Sequence, residues 1–315
     1  MTLLDVQNLF NTDDKCREVL VKLRWPAGVE CPRCHGKKIS WIKANKQFDC
    51  SECEYHFSVL AGTVFNDSHL PLTTWFTAVL LIVEAKKGMS ALQLKRTIWG
   101  TNKGSYKTAW YLCHRIRAAM NEVDRPMLDG TVEMDETYVG GKSRGYGSSW
   151  RGERHAKQVV IGIRQRGGDV RFFHAEDARK GTLAKYIKEN ISTDVDVIIT
   201  DELPAYKSAV GDLRHETVNH NAKEYARYEN GACISTNTVE SAFSLLKRGI
   251  IGSWHKISAK HLPAYLQEME FRFNRRNRSD LFIDTLRHMI TAPTLTFDNL
   301  TAKPSAEQVS EAVPF

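Results

Sequence analysis

The sequence predicts a mixed α/β protein in several parts, and three observations carry that expectation. Two CxxC pairs stand close together near the front of the chain. A stretch with helical spacing of apolar residues follows them. Beyond about residue 126, short β-branched runs alternate with helical segments, and acidic residues punctuate both.

Composition sets the limits. A chain of 315 residues with 42% hydrophobic content has room for more than one module and at least one large core. Mean hydropathy is -0.39, which describes a soluble globular protein. A formal net charge of +7 and a pI near 9.0 favour polyanionic partners without requiring them. The longest apolar stretch, around Ala78 to Val83, is too short to span a bilayer, so no membrane partner is expected. The opening MTLLDVQNLFNTDDK is acidic where a signal peptide is basic, which points to a cytoplasmic protein.

Four of the seven cysteines form the pairs Cys31-Pro-Arg-Cys34 and Cys50-Ser-Glu-Cys53. Each pair can present two of the four thiolates of a tetrahedron, and the intervening hairpin brings the two pairs together. The expectation is a structural zinc ribbon, with Trp25, Trp41, Phe48, Tyr55 and Phe57 supplying its small core. Cys16, Cys113 and Cys233 stand alone and read as packing residues.

From Leu72 to Met120 the spacing is helical. Trp75, Ala78, Val79 and Ile82 form one stripe, Ser90 reads as an N-cap, and a turn through Gly100 to Gly104 separates two helices. The pair is helix-turn-helix-like. If the second helix enters a DNA groove, Ser105, Tyr106 and Lys107 stand nearest the bases, and Arg115 and Arg117 reach phosphates.

The third part holds the acidic residues. Asp135 follows the alternating Val132 and Met134 in VEMDETYVGG, a strand that runs into a glycine turn. Asp201 ends the apolar run in VDVIITDELPAY, with Pro204 marking the exit. Glu240 lies on a helix whose apolar stripe is Val239, Phe243, Leu246 and Ile250. Asn237 is one turn before it and Lys247 two turns after, so the three can project towards one point. Between the two aspartates, Gln158–Arg164 and Val170–His174 read as a hairpin turning at Gly167-Gly168-Asp169, and a helix through Leu183 and Ile187 follows. Strand, hairpin, helix, strand and a late acidic helix is the order of an RNase H-like fold. Glu133, on the same strand face as Asp135, reads as an outward charge or a supporting residue.

Basic residues accompany these acids. The glycine-rich segment after Gly140 carries Lys142, Arg144, Arg151 and Arg154, suited to following a phosphate backbone, and Arg248 stands beside Lys247. Lys256 and the group Arg272, Arg275, Arg276 and Arg278 form a second basic face. The segment from about Thr291 reads as a poorly packed tail. The expected divisions are residues 1–70 with the ribbon, 71–125 helical, 126–290 the RNase H-like part and 291–315 the tail.

Over Trp25 to Asn277 the chain resembles insertion-sequence DDE transposases with an N-terminal zinc ribbon, the ISXO-like group. The resemblance rests on CPRCHG, the SALQLKR and SYKTAW helices, MDETYVGGK, TDELPAY, NTVESAFSLLKRGIIGSWHKIS and LPAYLQEMEFRFNRR. It implies a bacterial enzyme of the cytosol or nucleoid that cleaves transposon ends and transfers 3′-hydroxyls into target double-stranded DNA, as a homo-oligomer, using Mg or Mn. Two hard divalent ions can generate the nucleophile and stabilise the leaving oxygen. In that scheme Asp135 bridges both ions, Asp201 holds one, Glu240 or Asn237 the other, and Lys247 meets a phosphate. Two alternatives keep the fold: a DNA-binding regulator that no longer transposes, and an endonuclease without strand transfer.

Overall fold

A computed structural model describes residues 1–303 apart from 123, 141–156, 221, 223 and 230. The described chain forms two units, one of Met1–Asn121 with Arg275–Ala302 and one built on Glu122–Asn274.

The first unit opens with helices α1 (Leu3–Leu9) and α2 (Asp13–Arg24). Thr2 and Asp5 form a reciprocal capping box on α1, and the Thr12 hydroxyl caps α2 by accepting from the Lys15 N–H. Strands β1 (Ile39–Ile42), β2 (Gln47–Cys50) and β3 (Tyr55–Phe57) pair antiparallel in the order β1-β2-β3. Trp25 meets Phe48 and Phe57 edge-on, which gives this small sheet its core. Helix α3 (Leu72–Val83) is buried nearly all round, beyond the single stripe expected, and lies against α1, α2 and the helices that follow.

Helix α4 (Ala91–Trp99) starts where Ser90 accepts from the Gln93 N–H and stops at Gly100, whose φ of 84° favours a residue without a side chain. Helix α5 (Tyr106–Ala118) packs on α4 after the intervening turn.

Unit two is organised by one five-stranded sheet. Its strands are β4 (Thr131–Val139), β5 (Gln158–Gln165), β6 (Val170–Ala175), β7 (Val197–Asp201) and β8 (His215–Val218), in the order β6-β5-β4-β7-β8. The β4–β5 and β5–β6 pairs are antiparallel, whereas β4–β7 and β7–β8 are parallel. The β5–β6 hairpin turns at Gly167, with φ of 79°.

Period-two alternation in β4 and β5 sends Val132, Met134, Ile161 and Ile163 to one face. There they meet α6 (Lys180–Asn190) and α7 (Pro204–Ala209), with Pro204 opening α7. Strands β9 (Arg227–Glu229) and β10 (Ala232–Ile234) form a separate hairpin before α8 (Asn237–Gly249). Val139, Val160, Val170 and Phe172 cover the opposite sheet face and bury the apolar sides of α8 and α9 (Leu262–Arg275).

The remaining helices, α10 (Leu281–Thr291) and α11 (Phe297–Thr301), belong to the first unit. Of the expected loose tail, the described part from Ala292 to Ala302 is anchored. The Val64 N–H donates to the Ala292 carbonyl, the Tyr111 hydroxyl to the Leu295 carbonyl, and Phe297 packs edge-on against Tyr111. A few anchoring residues hold it, although its composition is mostly small and polar. Residues 304–315 lie outside the described residues.

Two basic expectations are also corrected. Arg115 and Arg117 are 4% and 1% exposed, so neither is available to a phosphate. Arg115 instead donates to the carbonyls of Val64 and Asn66. The second basic face is largely neutralised: Arg272 is buried against Glu268, and Arg275 and Arg278 pair with Asp284.

Candidate active site

The register of the parallel strands brings the two aspartates together. Thr131, Val132 and Glu133 of β4 lie opposite Val197, Ile198 and Ile199 of β7. Two residues further along, the same offset sets Asp135 level with Asp201, on one face and on adjoining strands. Asp135 stands in the middle of β4 rather than at its end, because β4 runs on beside β5 to Val139 after its pairing with β7 has stopped. Asp201 is the last residue of β7, at the carboxyl edge where ligands of such sheets gather.

Glu136 joins them. Carboxylate oxygens of Asp135, Glu136 and Asp201 all lie within 4.8 Å of one another. Alternation aims Glu136 towards the α7 side, where it accepts from the Tyr206 hydroxyl at 2.8 Å. Asp135 accepts from the Glu136 N–H at 2.8 Å, and Asp201 from the Leu203 N–H at 3.0 Å. The DE pair in MDET carried the signal for Glu136, but alternation alone places its side chain on the other face.

Burial raises the proton affinity of Asp135, and the neighbouring charges of Glu136 and Asp201 raise it further, to a pKa of about 7. Glu136 is raised as well, by burial first, with the Tyr206 hydrogen bond opposing the shift. Three carboxylates held this close are stable with a proton or a cation among them. Their oxygen donors suit a hard divalent ion.

Glu240 approaches from α8. Its carboxylate accepts from the Thr236 hydroxyl at 2.7 Å and faces His220 Nε2 at 3.2 Å. It lies near enough to Asp135 to contribute to that residue's raised pKa, as the smallest of the neighbouring charges. Asn237 is exposed at the first position of α8, and Lys247 is exposed two turns beyond Glu240. Arg248 is exposed too, but folds back on its own helix to the carbonyl and hydroxyl of Ser244.

Helix α8 owes its seat to two features. Gly162, paired with Asp135 across β4–β5, leaves room for Phe243: a Cβ there would lie 2.6 Å from Phe243 Cζ. Glu133 is not an outward charge. It is wholly buried, accepts from Arg166 Nη2 at 2.7 Å and Nε at 3.0 Å, and also accepts from the backbone N–H groups of Thr238 and Val239.

The four ribbon thiols of Cys31, Cys34, Cys50 and Cys53 likewise lie within 4.8 Å of one another. The Cys31–Cys53 and Cys34–Cys50 sulfurs are 3.6 Å apart, close to the edge of about 3.8 Å that Zn–S bonds of about 2.3 Å give a tetrahedron. This cluster of four cysteines fits a structural zinc ion.

In the first unit, Ser105, Tyr106 and Lys107 are exposed at the start of α5, and Lys107 Nζ lies 4.1 Å from the centre of the Phe297 ring. Lys142, Arg144, Arg151 and Arg154 fall outside the described residues. Among the described residues, no helix is long and apolar enough to cross a membrane.

Residues 127–274, which contain all of these acids, match the ISXO2-like transposase domain. The ribbon matches too, with residues 11–56 corresponding to a transposase zinc-ribbon domain. The two matches thus set a segment similar to an ISXO2-like transposase domain behind one similar to a transposase zinc ribbon. An uncharacterized protein in transposable element ISH50 of Halobacterium salinarum is 28% identical over 282 residues, covering 84% of this chain and 91% of that protein. The transposase domain thus takes in the strand pair with Asp135 and Asp201 and the helix with Glu240.

Proposed function

We propose that this transposase cuts and joins DNA at the ends of its own element, with the carboxylates of unit two holding divalent Mg or Mn. The convergence of Asp135, Glu136 and Asp201 carries this reading, and Glu240, outside that cluster, is near enough to add to the raised proton affinity of Asp135. The sheet order supports an RNase H-like core, since three antiparallel strands continue into two parallel ones and an acidic helix packs across the face.

In this reading Asp135, Asp201 and either Glu240 or Asn237 would hold the divalent ions. The ions, when bound, would activate the attacking hydroxyl and stabilise the departing 3′-oxygen. Asp135, whose carboxyl is held protonated up to about pH 7 without metal, would bind a cation as the carboxylate, and Glu136 is oriented by Tyr206. Lys247 and Arg248, both exposed on α8, would meet the phosphate backbone, Arg248 by exchanging its bonds to Ser244 for a phosphate. Ser105, Tyr106 and Lys107 meet the terminal repeats, the zinc ribbon supports that binding, and the glycine-rich segment with Lys142, Arg144, Arg151 and Arg154 follows the strand. Two copies pairing two ends make the working unit a homo-oligomer.

The test uses labelled duplexes carrying the element's ends, a target plasmid, and Mg or Mn. Wild type yields cleaved and joined products, and Asp135→Asn and Asp201→Asn yield neither while still binding the ends. Glu240→Gln and Asn237→Ala, assayed side by side, identify the third ligand. End binding without metal-dependent cleavage by wild type would favour a regulator, and cleavage without joining an endonuclease.

A further inference from the structure

Buried carboxylates are costly unless fully paired, and Glu133 is 0% exposed in a strand whose neighbours Val132 and Met134 are apolar. All of its partners belong to two groups. One is Arg166, at the turn of the β5–β6 hairpin. The other is the first turn of α8: the Thr238 N–H at 2.8 Å, the Thr238 hydroxyl at 2.6 Å and the Val239 N–H at 3.0 Å.

Those two N–H groups are the ones that an N-cap side chain normally satisfies. Thr236, which occupies the N-cap position of α8, makes no side-chain cap and gives its hydroxyl to Glu240 instead. The cap comes from a strand across the sheet face, with its negative charge at the positive end of the helix dipole. Arg166 completes the clamp by donating to the carbonyls of Cys233 at 2.6 Å and Ser235 at 3.1 Å, in the segment that leads into α8.

We propose that Glu133 and Arg166 are positioning residues that set the place of the Glu240 carboxylate relative to Asp135. Asp135 is two residues beyond Glu133 on β4, and Glu240 is the residue after the anchored Val239. The clamp therefore links the two acids through a few rigid backbone bonds. The inference rests on the metal-dependent reading of the site, and it assigns to Glu133 no contact with metal or DNA.

The test is a cycle of Mn2+ titrations followed by the electron paramagnetic signal of the free ion, with thermal unfolding of each variant alongside. The variants are Glu133→Gln, Thr238→Ala, Glu240→Gln and the doubles E133Q/E240Q and T238A/E240Q. Thr238→Ala removes one donor from the clamp and keeps the measurement available if Glu133→Gln does not fold. Each single change at the clamp weakens Mn2+ binding, by about ten-fold for Glu133→Gln as for other outer-shell partners of metal ligands. Neither weakens it further once Glu240 is already Gln. Losses that multiply in the doubles would overturn the inference, as would clamp variants that melt earlier but bind Mn2+ like wild type. A wild type that binds Mn2+ but cuts no DNA would sink the transposase reading while leaving this cycle readable.

Discussion

Tyr206, completely buried on α7, donates its hydroxyl to Glu136 at 2.8 Å. Burial and the nearby carboxylates hold the phenol well above its usual pKa, so it remains a donor throughout the working range. The bond restrains the rise in the Glu136 pKa that burial causes. Tyr206→Phe removes that restraint, and Glu136 then keeps its proton to higher pH. The expected result is weaker Mn2+ binding than wild type at acid pH, with the gap closing as pH rises and Glu136 ionises in both proteins. Equal weakening across the whole pH range would mean that the hydroxyl acts through packing alone. The lost hydrogen bond costs about 1 kcal/mol of stability.

Asp135 makes the metal-free protein sensitive to pH in a direction opposite to that of a salt-bridged aspartate. Its carboxyl titrates at 3.8 in the unfolded reference and about 7 in the fold. Below the unfolded value both states are protonated and the contribution to stability is intact. As pH rises towards 7 the unfolded chain ionises first, and that contribution is lost, up to about 4 kcal/mol at 1.36 kcal/mol per pKa unit. Thermal melts in chelator from pH 4 to 8 therefore fall more steeply for wild type than for Asp135→Asn. Added Mg raises the wild-type melting temperature most at the high end. Parallel curves for the two proteins would rule out the raised pKa.

Gly162→Ala tests the seat of α8. The added methyl falls 2.6 Å from Phe243 Cζ and 3.1 Å from Val239 Cγ2. Overpacking of this kind costs about 1–3 kcal/mol. Because the helix must lift, DNA cleavage falls together with the melting temperature, and Phe243→Leu on the same chain restores part of both. A Gly162→Ala protein with unchanged stability and cleavage would show that the α8 contact is slack.

Zinc removal acts on the ribbon. Elemental analysis of the purified protein is expected to find one zinc per chain, held by Cys31, Cys34, Cys50 and Cys53. A strong chelator changes the tryptophan fluorescence, since Trp25 packs on Phe48 and Phe57 within the ribbon core. Cys34→Ser lowers the zinc content in the same way. Retention of fluorescence and fold after full zinc loss would show that the aromatic core suffices by itself.

Much of this was legible because it is local. The two CxxC pairs, the Gly167 hairpin turn, the Ser90 cap and the strand that Asp201 terminates each depend on neighbours in sequence. The strand pair could be inferred from its β-branched runs. Long-range partners left no such signal. Nothing near Glu133 reveals that a helix start more than a hundred residues later lands on it, and alternation, which puts it on the face of Asp135, left an outward charge and a supporting role both open. Arg115 and Arg117 look like phosphate ligands until the helix faces are assigned, and the carbonyls that hold Arg115 belong to the segment around Val64 to Asn66. The seat of Glu240 on Thr236 and His220 was hidden for the same reason, because His220 comes from the loop after β8.

The most direct measurement replaces one oxygen of the scissile phosphate with sulfur in a labelled element-end duplex and compares cleavage in Mg and in Mn. Mg binds sulfur poorly and Mn accepts it, so a metal held against that phosphate by Asp135 and Asp201 gives cleavage that fails in Mg and returns in Mn. Asp135→Asn abolishes cleavage in both. Equal cleavage of the sulfur-bearing duplex in Mg and Mn, or cleavage that survives Asp135→Asn, would contradict a metal-dependent site on these carboxylates.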